Sequence, residues 1–329
     1  MPKKRLFIAG PTGVGKTALS LRLAKAFHGE ILSMDSMQIY RGMDIGTAKA
    51  TPQEQAQVPH HLLDIVTPGE RYTVYDYQRD AQNVATKLIA HGILPIFTGG
   101  TGLYLNALLK GYQFTGVDTT ETLRSQLEAE YALDQGRSLY AELLKSDPAT
   151  AQKITEKDKP RLVRAIEIAR QTNAKPSLLR SDETDTTWEN LVIVLSLPRE
   201  SLYDRINRRV VSMMEKGLVQ EVKALLKAGV PFDSQAMRAI GYREIYWYFK
   251  GWTSYDETVS LIQRASRNYA KRQYTWYRKV EEAVWIEEED PEERYRKALE
   301  QVNQFLTNES VFCGQNLRKQ EKDHDKQPL

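Results

Sequence analysis

The feature that most constrains this chain is the stretch GPTGVGKT at residues 10–17, which matches G-x-x-x-x-G-K-[ST] at every fixed position. A short apolar run at residues 5–9 precedes it, and residues 18–27 after it have the apolar spacing of a helix. A strand, a glycine-rich loop and a helix in this order form the setting of a phosphate-binding loop. The alternative is a chance turn before a helix, which the correct flanks disfavour. The sequence therefore predicts a site for a di- or triphosphate.

Each part of this loop has a chemical reason. Glycines let backbone N–H groups converge on an anion, and the helix that follows adds the positive end of its dipole. Lys16 can neutralise outer phosphate oxygens, and the hydroxyl of Thr17 can ligate Mg²⁺, which makes Thr17 the predicted metal ligand. The predicted phosphate-binding residues are Gly10, Pro11, Thr12, Gly13, Val14, Gly15, Lys16 and Thr17.

Length and composition narrow the class of protein. A chain of 329 residues with 41% apolar content can bury a substantial core, as one large domain with an insertion or as two domains. The net charge of +3 is too small to identify a nucleic-acid partner, and the lone cysteine excludes a disulfide framework within one chain. The apolar run near the N-terminus is too short for a signal peptide, and no stretch approaches a membrane span. We expect a soluble, cytoplasmic protein that has no membrane partner.

The order of apolar and helical segments predicts the fold. Further strands are predicted at residues 30–34, 93–97 and 191–197, and further helices at residues 73–91, 103–109, 202–214 and 258–280. Between residues 111 and 185 only helices are predicted, at residues 122–131, 138–144 and 159–171. The fold class is therefore α/β: a parallel sheet of the P-loop NTPase type flanked by helices, with an inserted all-helical subdomain. We divide the chain into the first part of the core (1–111), the helical insertion (112–187), the core completion with basic helices (188–312) and a disordered tail (313–329).

Asp35 directly follows the predicted strand at residues 30–34. Ligand-handling residues of open α/β sheets lie just beyond the carboxyl ends of strands, so we expect Asp35 beside the phosphate loop. A catalytic carboxylate and a simple helix N-cap are both open for this residue. The polar, aperiodic segment at residues 41–49 is predicted as a loop that could contact a substrate.

A glycine-rich turn, TGGTG at residues 98–102, follows the predicted strand at residues 93–97. Ordinary nucleotide hydrolases carry an acidic Mg²⁺ partner at the end of the comparable strand. Here the backbone can approach a ligand closely, and Thr101 can offer a neutral hydroxyl to a phosphate or an amine. The alternative is a tight turn that caps the helix at residues 103–109.

Basic residues recur in the second half of the chain. Arg205 and Arg209 share one helix face and could bind a pyrophosphate, although a solvated face is the alternative. Residues 258–280 carry six basic side chains, no acidic one, and four interleaved tyrosines and tryptophans. Such a helix can follow a phosphate backbone with its basic face, and its aromatic side chains can stack on exposed bases.

Three functions are compatible with these features. The first is a phosphotransferase for a small molecule, with ATP as donor and Asp35 as base. The second is a nucleic-acid-modifying transferase that uses the loop to hold a pyrophosphate leaving group. The missing acidic strand end, the helical insertion and the basic helix favour the second. A nucleotide-dependent switch is disfavoured because no water-positioning residue can be assigned.

A set of motifs in a fixed order adds a resemblance to a known family. The chain carries, in order, GPTGVGKT, DSMQIYRGMDIGTAK, HHLLD, FTGGTGLYL, LPRESLYDRINRR, RAIGYRE and KRQYTWYR. From residue 5 to about residue 280 it resembles the tRNA dimethylallyltransferase (tRNA isopentenyltransferase) family. The resemblance implies transfer of a dimethylallyl group from dimethylallyl diphosphate to the N6 amine of the adenosine 3′-adjacent to the anticodon of tRNA. It also implies Mg²⁺ as cofactor, and we expect a monomer.

The resemblance also implies roles for individual residues. Residues 10–17 would hold the diphosphate, and the catalytic residues would be Asp35 as general base, Thr101 with its hydroxyl and Arg209 on the pyrophosphate. The residues that would contact the tRNA anticodon stem-loop are Asp35, Ser36, Met37, Gln38, Thr101, Arg124, Arg161, Arg164, Arg238, Gly241, Tyr242, Arg243, Lys271, Arg272, Gln273, Trp276 and Arg278. One departure from the family pattern is Asp-Lys-Pro-Arg at residues 158–161, where relatives read Asp-Pro-Gln-Arg.

Overall fold

The computed structural model describes residues 3–112, 121–178 and 187–307. The chain divides into two compact units. The sheet unit is formed by Met1–Leu105 together with Thr186–Leu329, and the helical unit by Asn106–Asp185. The tail predicted to be disordered, residues 313–329, lies outside the described residues.

A six-stranded sheet forms the centre of the sheet unit, and all its neighbouring strands are parallel. The strands are β1 Lys3–Ala9, β2 Gly29–Ser33, β3 His60–His61, β4 Leu94–Gly99, β5 Trp188–Leu195 and β6 Val284–Ile286. Their order in the sheet is β3-β2-β4-β1-β5-β6. The last five residues of β1 are all buried, as expected for a central strand of a parallel sheet. The predicted α/β fold with a parallel sheet is confirmed.

Helices and loops connect these strands. In chain order they are α1 Lys16–Ala26, α2 Pro52–Gln57, α3 Val74–Ala90, α4 Gly102–Lys110, α5 Glu121–Asp134, α6 Arg137–Ser146, α7 Pro148–Ala151, α8 Lys159–Thr172, α9 Arg199–Glu215, α10 Leu218–Lys227, α11 Tyr242–Phe249, α12 Tyr255–Tyr277 and α13 Pro291–Thr307. Short 3₁₀ turns occur at Pro176–Leu178 and Ala236–Arg238. Across residues 3–112, 121–178 and 187–307, none of the helices combines the length and the apolar character that crossing a membrane requires.

Side-chain caps set the starts of two long helices. At α3, the Thr73 hydroxyl accepts a hydrogen bond from the Asp76 N–H, and the Asp76 carboxylate accepts one from the Thr73 N–H. Ser254 and Glu257 form the same reciprocal pair at the start of α12. Each pair satisfies two N–H groups that a helix start leaves without intrahelical partners. The cap at Ser254 makes α12 begin three residues before the predicted start at residue 258.

The helical unit has its own apolar core, in which Leu127 and Leu143 are fully buried. Asp147 is 1% exposed and accepts hydrogen bonds from the backbone N–H groups of Thr150 at 3.2 Å and Ser177 at 2.7 Å. Burial opposes ionisation of Asp147, but the hydrogen bonds from Thr150 and Ser177 outweigh it and lower the pKa to about 2. A buried carboxylate therefore joins the start of α7 to the 3₁₀ turn at Pro176–Leu178.

Candidate active site

The phosphate-binding loop follows β1 and ends where α1 begins at Lys16. Gly15 precedes α1 with φ of 105°, in the left-handed region that side chains rarely adopt. Thr12, Lys16 and Thr17 line a cavity of about 900 Å³ in the sheet unit. The start of α1 therefore faces this cavity with the N–H groups and dipole end that bind anions.

Lys16 is the cation of this loop. Its Nζ donates hydrogen bonds to the carbonyl oxygens of Gly10 and Pro11, both at 2.9 Å. Burial and, to a smaller extent, the charge of Arg209 lower the pKa of Lys16 to about 7, with the charge of Asp35 opposing both. An anion in the cavity would favour the charged form of Lys16, because it adds negative charge to that of Asp35.

Asp35 lies just beyond the carboxyl end of β2 and lines the same cavity. Its Oδ1 accepts a hydrogen bond from the N–H of Met37 at 2.9 Å, which closes a local turn. The next helix along the chain, α2, begins only at Pro52, so the helix N-cap alternative for Asp35 is wrong. The carboxylate thus faces the phosphate loop, as the position of Asp35 after a strand predicts.

Ser36 and Gln38, which follow Asp35, also line the cavity and are held by neighbouring segments. The Ser33 hydroxyl donates a hydrogen bond to Gln38 Oε1 at 2.9 Å, and Gln38 Nε2 donates to the carbonyls of Thr47 and Ala48 at 3.3 Å. The loop at residues 41–48 therefore supports the segment that carries Asp35.

Thr101 joins the ends of β2 and β4. Its Oγ1 accepts a hydrogen bond from the Ser36 N–H at 3.0 Å, and its own N–H donates to the Met34 carbonyl at 3.2 Å. Its carbonyl accepts hydrogen bonds from Tyr104 and Leu105 at the start of α4. The turn therefore both begins a helix, as one alternative predicts, and fixes Ser36 beside Asp35.

Arg209 reaches the cavity from α9. Burial lowers the pKa of Arg209, and the charge of Asp35 opposes that shift. Arg205, one turn earlier, lines the same cavity, and so does Arg208, which is exposed and pairs with Asp204 at 2.6 Å. The solvated-face alternative is therefore wrong for Arg209, because its guanidinium shares the cavity with Lys16.

α12 contacts the phosphate loop directly through Gln273, which is 3% exposed. Gln273 Oε1 accepts a hydrogen bond from the Thr12 N–H at 2.9 Å, and Nε2 donates to the Gly100 carbonyl at 2.8 Å. Trp276 packs against Gly102, where an added Cβ would lie 2.9 Å from the Trp276 ring system. The predicted RNA-contacting residues Lys271, Arg272 and Arg278 are exposed.

The segment at residues 238–243 contains both exposed and buried predicted residues. Arg238 is exposed and lines the cavity, and Gly241 lines it as well. Tyr242 is fully buried, and its hydroxyl donates a hydrogen bond to Glu221 Oε1 at 2.6 Å. The Arg243 guanidinium pairs with Glu244 and lies 5.1 Å from the centre of the Trp247 ring.

Within the helical unit, the predicted arginines form ion pairs. Arg124 and Arg164 contact the same carboxylate, Glu167, at 3.3 and 2.8 Å, and the Glu167 side chain is fully buried. Arg161 pairs with Asp158 at 3.4 Å, and its side chain is 65% exposed. Two of these three cations therefore neutralise a buried acid, while Arg161 faces solvent.

One cavity gathers many of the predicted site residues, all from the sheet unit. The predicted residues that line it are Thr12, Gly13, Gly15, Lys16, Thr17, Asp35, Ser36, Met37, Gln38, Arg209, Arg238, Gly241, Arg272 and Gln273. The predicted residues of the sheet unit outside this lining are Gly10, Pro11, Val14, Thr101, Tyr242, Arg243, Lys271, Trp276 and Arg278.

Two features of this site go beyond the sequence predictions, which treated Tyr269 only as one of the aromatic residues of 258–280 that could stack on bases and did not consider Glu221. Tyr269 lines the cavity, and burial together with the charge of Asp35 raises its pKa, which keeps the hydroxyl a donor. It belongs to a stripe on α12 with Ile262, Ser266 and Gln273, a different stripe from the basic one at residues 264, 267 and 271. Glu221 is the other feature: its carboxylate accepts the N–H groups of Asp44, Ile45 and Gly46 at 2.9, 2.8 and 3.1 Å. The helical spacing could have indicated Tyr269, but Glu221 reads as an ordinary acid of an amphipathic helix.

The fold and this site define an α/β phosphate-loop protein in which an anion cradle, a carboxylate and several arginines share one cavity. Two family models match the chain, IPP transferase at residues 38–280 and Isopentenyl transferase at residues 4–64. The tRNA dimethylallyltransferase of Shouchella clausii (strain KSM-K16) is 42% identical over 299 residues, which is 91% of this chain and 96% of the relative. That of Geobacillus thermodenitrificans (strain NG80-2) is 43% identical over 93% of this chain and 97% of its own length. The chain belongs to the tRNA dimethylallyltransferase family.

Solved structures agree with this assignment. The full-length tRNA isopentenylpyrophosphate transferase of Bacillus halodurans is 38% identical, with a TM-score of 0.68 and coverage of 98% of this chain and 99% of that chain. A eukaryotic dimethylallyltransferase acting on tRNA is 28% identical, with a TM-score of 0.80 and coverage of 94% and 81%.

Proposed function

We propose that this protein transfers a dimethylallyl group from dimethylallyl diphosphate to the N6 amine of the adenosine 3′-adjacent to the anticodon of tRNA, releasing diphosphate. The observation that carries the proposal is the single cavity in which the phosphate loop, Asp35 and Arg209 meet. The family to which the chain belongs, and relatives that are named for this reaction, support it.

The diphosphate end of the donor fits the phosphate loop. Negative charge accumulates on the leaving diphosphate as the allyl C–O bond breaks, and N–H groups fixed in advance stabilise that charge. Lys16 and Arg209 add two cations in the same cavity. Burial makes charge costly for both side chains in the free protein, and the incoming anion adds negative charge to that of Asp35.

A magnesium ion fits the donor set at the start of α1. The serine or threonine that ends a phosphate-binding loop helps to hold Mg²⁺ on the bound phosphates, and Thr17, at this position, is exposed and lines the cavity. We propose that Thr17 contributes to holding Mg²⁺ with the diphosphate. When bound, the ion would supply positive charge to the leaving group.

The amine end of the reaction requires a proton acceptor. The exocyclic amine of adenine is a poor nucleophile, so a base has to accept its proton as the C–N bond forms. We assign this role to Asp35, which lies in the cavity with one oxygen bonded to the Met37 N–H. Thr101 fixes the backbone of Ser36 next to it, and we propose that the segment from Ser36 to Gln38 contacts the adenosine.

Access of the adenosine requires that it leave its stack in the anticodon loop. Extruding a base costs a few kcal/mol, which contacts elsewhere on the RNA have to offset. We propose that Arg238, Lys271, Arg272 and Arg278 supply these contacts in the sheet unit, since all four are exposed and basic. Arg161 is the most exposed of the three predicted arginines of the helical unit.

The direct test is incubation of the protein with tRNA and either dimethylallyl diphosphate or ATP, followed by mass analysis of the nucleosides. We expect a dimethylallyl adduct on one adenosine with the first donor and no change with the second. A tRNA that carries guanosine at the target position is the matched substrate control. Phosphoryl transfer from ATP without prenylation would overturn the proposal in favour of a phosphotransferase.

A further inference from the structure

Arg294 is a buried cation that the proposed reaction does not use, and it lies against the phosphate-binding loop. It belongs to the first turn of α13, beyond both matched segments, residues 4–64 and 38–280. Arg294 is 4% exposed, and its Nη1 donates a hydrogen bond to the carbonyl of Val14 at 2.9 Å. Its Nε and Nη2 donate to the carbonyl of Glu288 at 3.0 and 2.6 Å. The guanidinium is thus fixed on one side while it holds the loop on the other.

The contact with Val14 has a geometric consequence for Gly15. The Val14 carbonyl and the Gly15 N–H belong to one peptide unit, and a planar trans peptide carries these two groups on opposite sides of the chain. Val14 is fully buried, whereas Gly15 is exposed and lines the cavity. Because Arg294 binds the carbonyl on the buried side, the Gly15 N–H is directed away from Arg294. Donation from a cation to the carbonyl also polarises the peptide, which strengthens the N–H as a donor.

Arg294 and Gly15 also fit each other sterically. A Cβ built on Gly15 would lie 3.0 Å from Arg294 Nη1, closer than most real contacts of a Cβ. The absence of a side chain at residue 15 therefore leaves room for the guanidinium as well as for a φ of 105°. The loop conformation and the position of Arg294 depend on the same glycine.

The acidic run before α13 balances the charge of Arg294. Burial lowers the pKa of Arg294 and the charge of Arg205 lowers it further, whereas the charges of Glu288, Glu289 and Asp290 oppose the shift. An arginine keeps its proton under such conditions. The acidic residues before α13 thus help to retain a cation behind a loop that is itself built to bind an anion.

We propose that Arg294 is a positioning residue for the diphosphate: it holds the Val14 carbonyl and thereby directs the Gly15 N–H toward the phosphate group in the cavity. This inference rests on the proposed function, in which the loop holds the diphosphate of the donor. Arg294 acts through the backbone of the loop and does not touch the substrate.

The test is the affinity of the purified full-length protein for inorganic diphosphate, measured by titration calorimetry, alongside affinity for tRNA and thermal stability. Arg294→Met removes the donor to Val14, and we expect about tenfold weaker diphosphate binding, as for the loss of one charge-assisted hydrogen bond. Arg294→Lys keeps one donor and should lose less. Arg296→Met, on the same helix with a side chain that is 76% exposed, is the matched control and should bind diphosphate like the wild type.

A purely structural role would lower the melting temperature and leave the diphosphate affinity of the folded protein unchanged, and that result would overturn the inference. In wild-type protein with labelled glycine, the Gly15 amide resonance should move as diphosphate is added; a stationary resonance would overturn the inference regardless of how the variants fold. Lys16→Met distinguishes a failure of the phosphate-loop assignment from a failure of the role proposed for Arg294. If it also binds diphosphate normally, the phosphate-loop assignment itself is wrong, whereas a loss confined to Lys16→Met contradicts only the role of Arg294.

Discussion

Lys16 should couple diphosphate binding to proton uptake near neutral pH. Burial and the charge of Arg209, partly opposed by the charge of Asp35, lower its pKa from 10.5 to about 7. That shift corresponds to roughly 5 kcal/mol of free energy between the charged and neutral forms. A bound diphosphate brings negative charge to the loop and raises the pKa again. Above pH 7, binding therefore requires a proton that the free protein lacks.

The size of this coupling can be worked out from the shift. At about pH 8, only about one tenth of Lys16 is charged in the free protein, because the pKa lies about one unit lower. Affinity for inorganic diphosphate should fall by up to about tenfold per pH unit above pH 7, until the pKa of the complex is reached. Below pH 7, Lys16 contributes little further change, since it is already protonated.

Calorimetry in two buffers of different ionisation enthalpy counts the protons taken up on binding. Lys16→Arg is the matched variant, because a guanidinium stays charged throughout this range. The affinity of Lys16→Arg for diphosphate should lack the pH dependence that Lys16 causes. The pH dependence that persists in this variant comes from the titration of diphosphate itself. Equal slopes above pH 7 in the variant and the wild type would refute the reasoning.

The same shift affects the stability of the unliganded protein with a defined sign. Unfolded Lys16 has a pKa of 10.5 and folded Lys16 one of about 7, so the unfolded state binds more protons between these values. The free energy of unfolding should therefore rise with pH between about 7 and 10.5. Below about pH 7, the destabilisation caused by burying the charged Lys16 is fully present. Lys16→Met should raise the melting temperature more below pH 7 than near pH 10. An equal gain at both pH values would contradict burial of the charge as the cause.

Other changes test the remaining parts of the site and the fold. Asp35→Asn keeps an acceptor for the local turn but cannot take up a proton, so turnover should fall at least about 100-fold while tRNA affinity stays nearly intact; equal loss of both would make Asp35 a structural residue. Changing Lys271 and Arg272 to Ala should weaken tRNA binding and reduce the slope of log K against log salt by roughly 1.5 to 2, and an unchanged slope would contradict a phosphate contact. Asp147→Asn should cost about 2 kcal/mol in the free energy of unfolding at neutral pH, because the pKa is about 2 when folded and 3.8 when unfolded. In denaturant titrations, the difference in the free energy of unfolding between wild type and Asp147→Asn should disappear as the pH falls through 2. A difference that is the same at every pH would be due to packing instead of the charge.

The parts of the site that follow strands could be predicted from the sequence. The carboxyl ends of parallel strands meet at one edge of a sheet, so a phosphate loop after β1 and Asp35 after β2 had to come close together. The spacing of Arg205 and Arg209 fixed a shared helix face but not its direction. The structure turns that face toward the cavity through packing that no local pattern contains.

The partners of polar side chains could not be predicted, because they lie far away in the sequence. Gln273 bonds to Thr12, 261 residues earlier, and Arg294 bonds to Val14, 280 residues earlier. A local sequence pattern does not indicate which distant residues will form a hydrogen bond. The predicted contacts of Arg124 with RNA and its observed pairing with Glu167 both follow from the same positive charge, so composition alone does not separate them.

The loop at residues 41–48 takes its shape from a carboxylate on a distant helix. Three successive backbone N–H groups converge on Glu221, which also accepts the hydroxyl of Tyr242. The Tyr242 ring occupies the space where Gly46 would carry a side chain, 2.5 Å from an added Cβ. Substitutions at residues 46, 221 and 242 are therefore expected to depend on one another. A lineage that enlarged the first would have to shrink the third, and one that lost the acid would have to rebuild the loop from other residues.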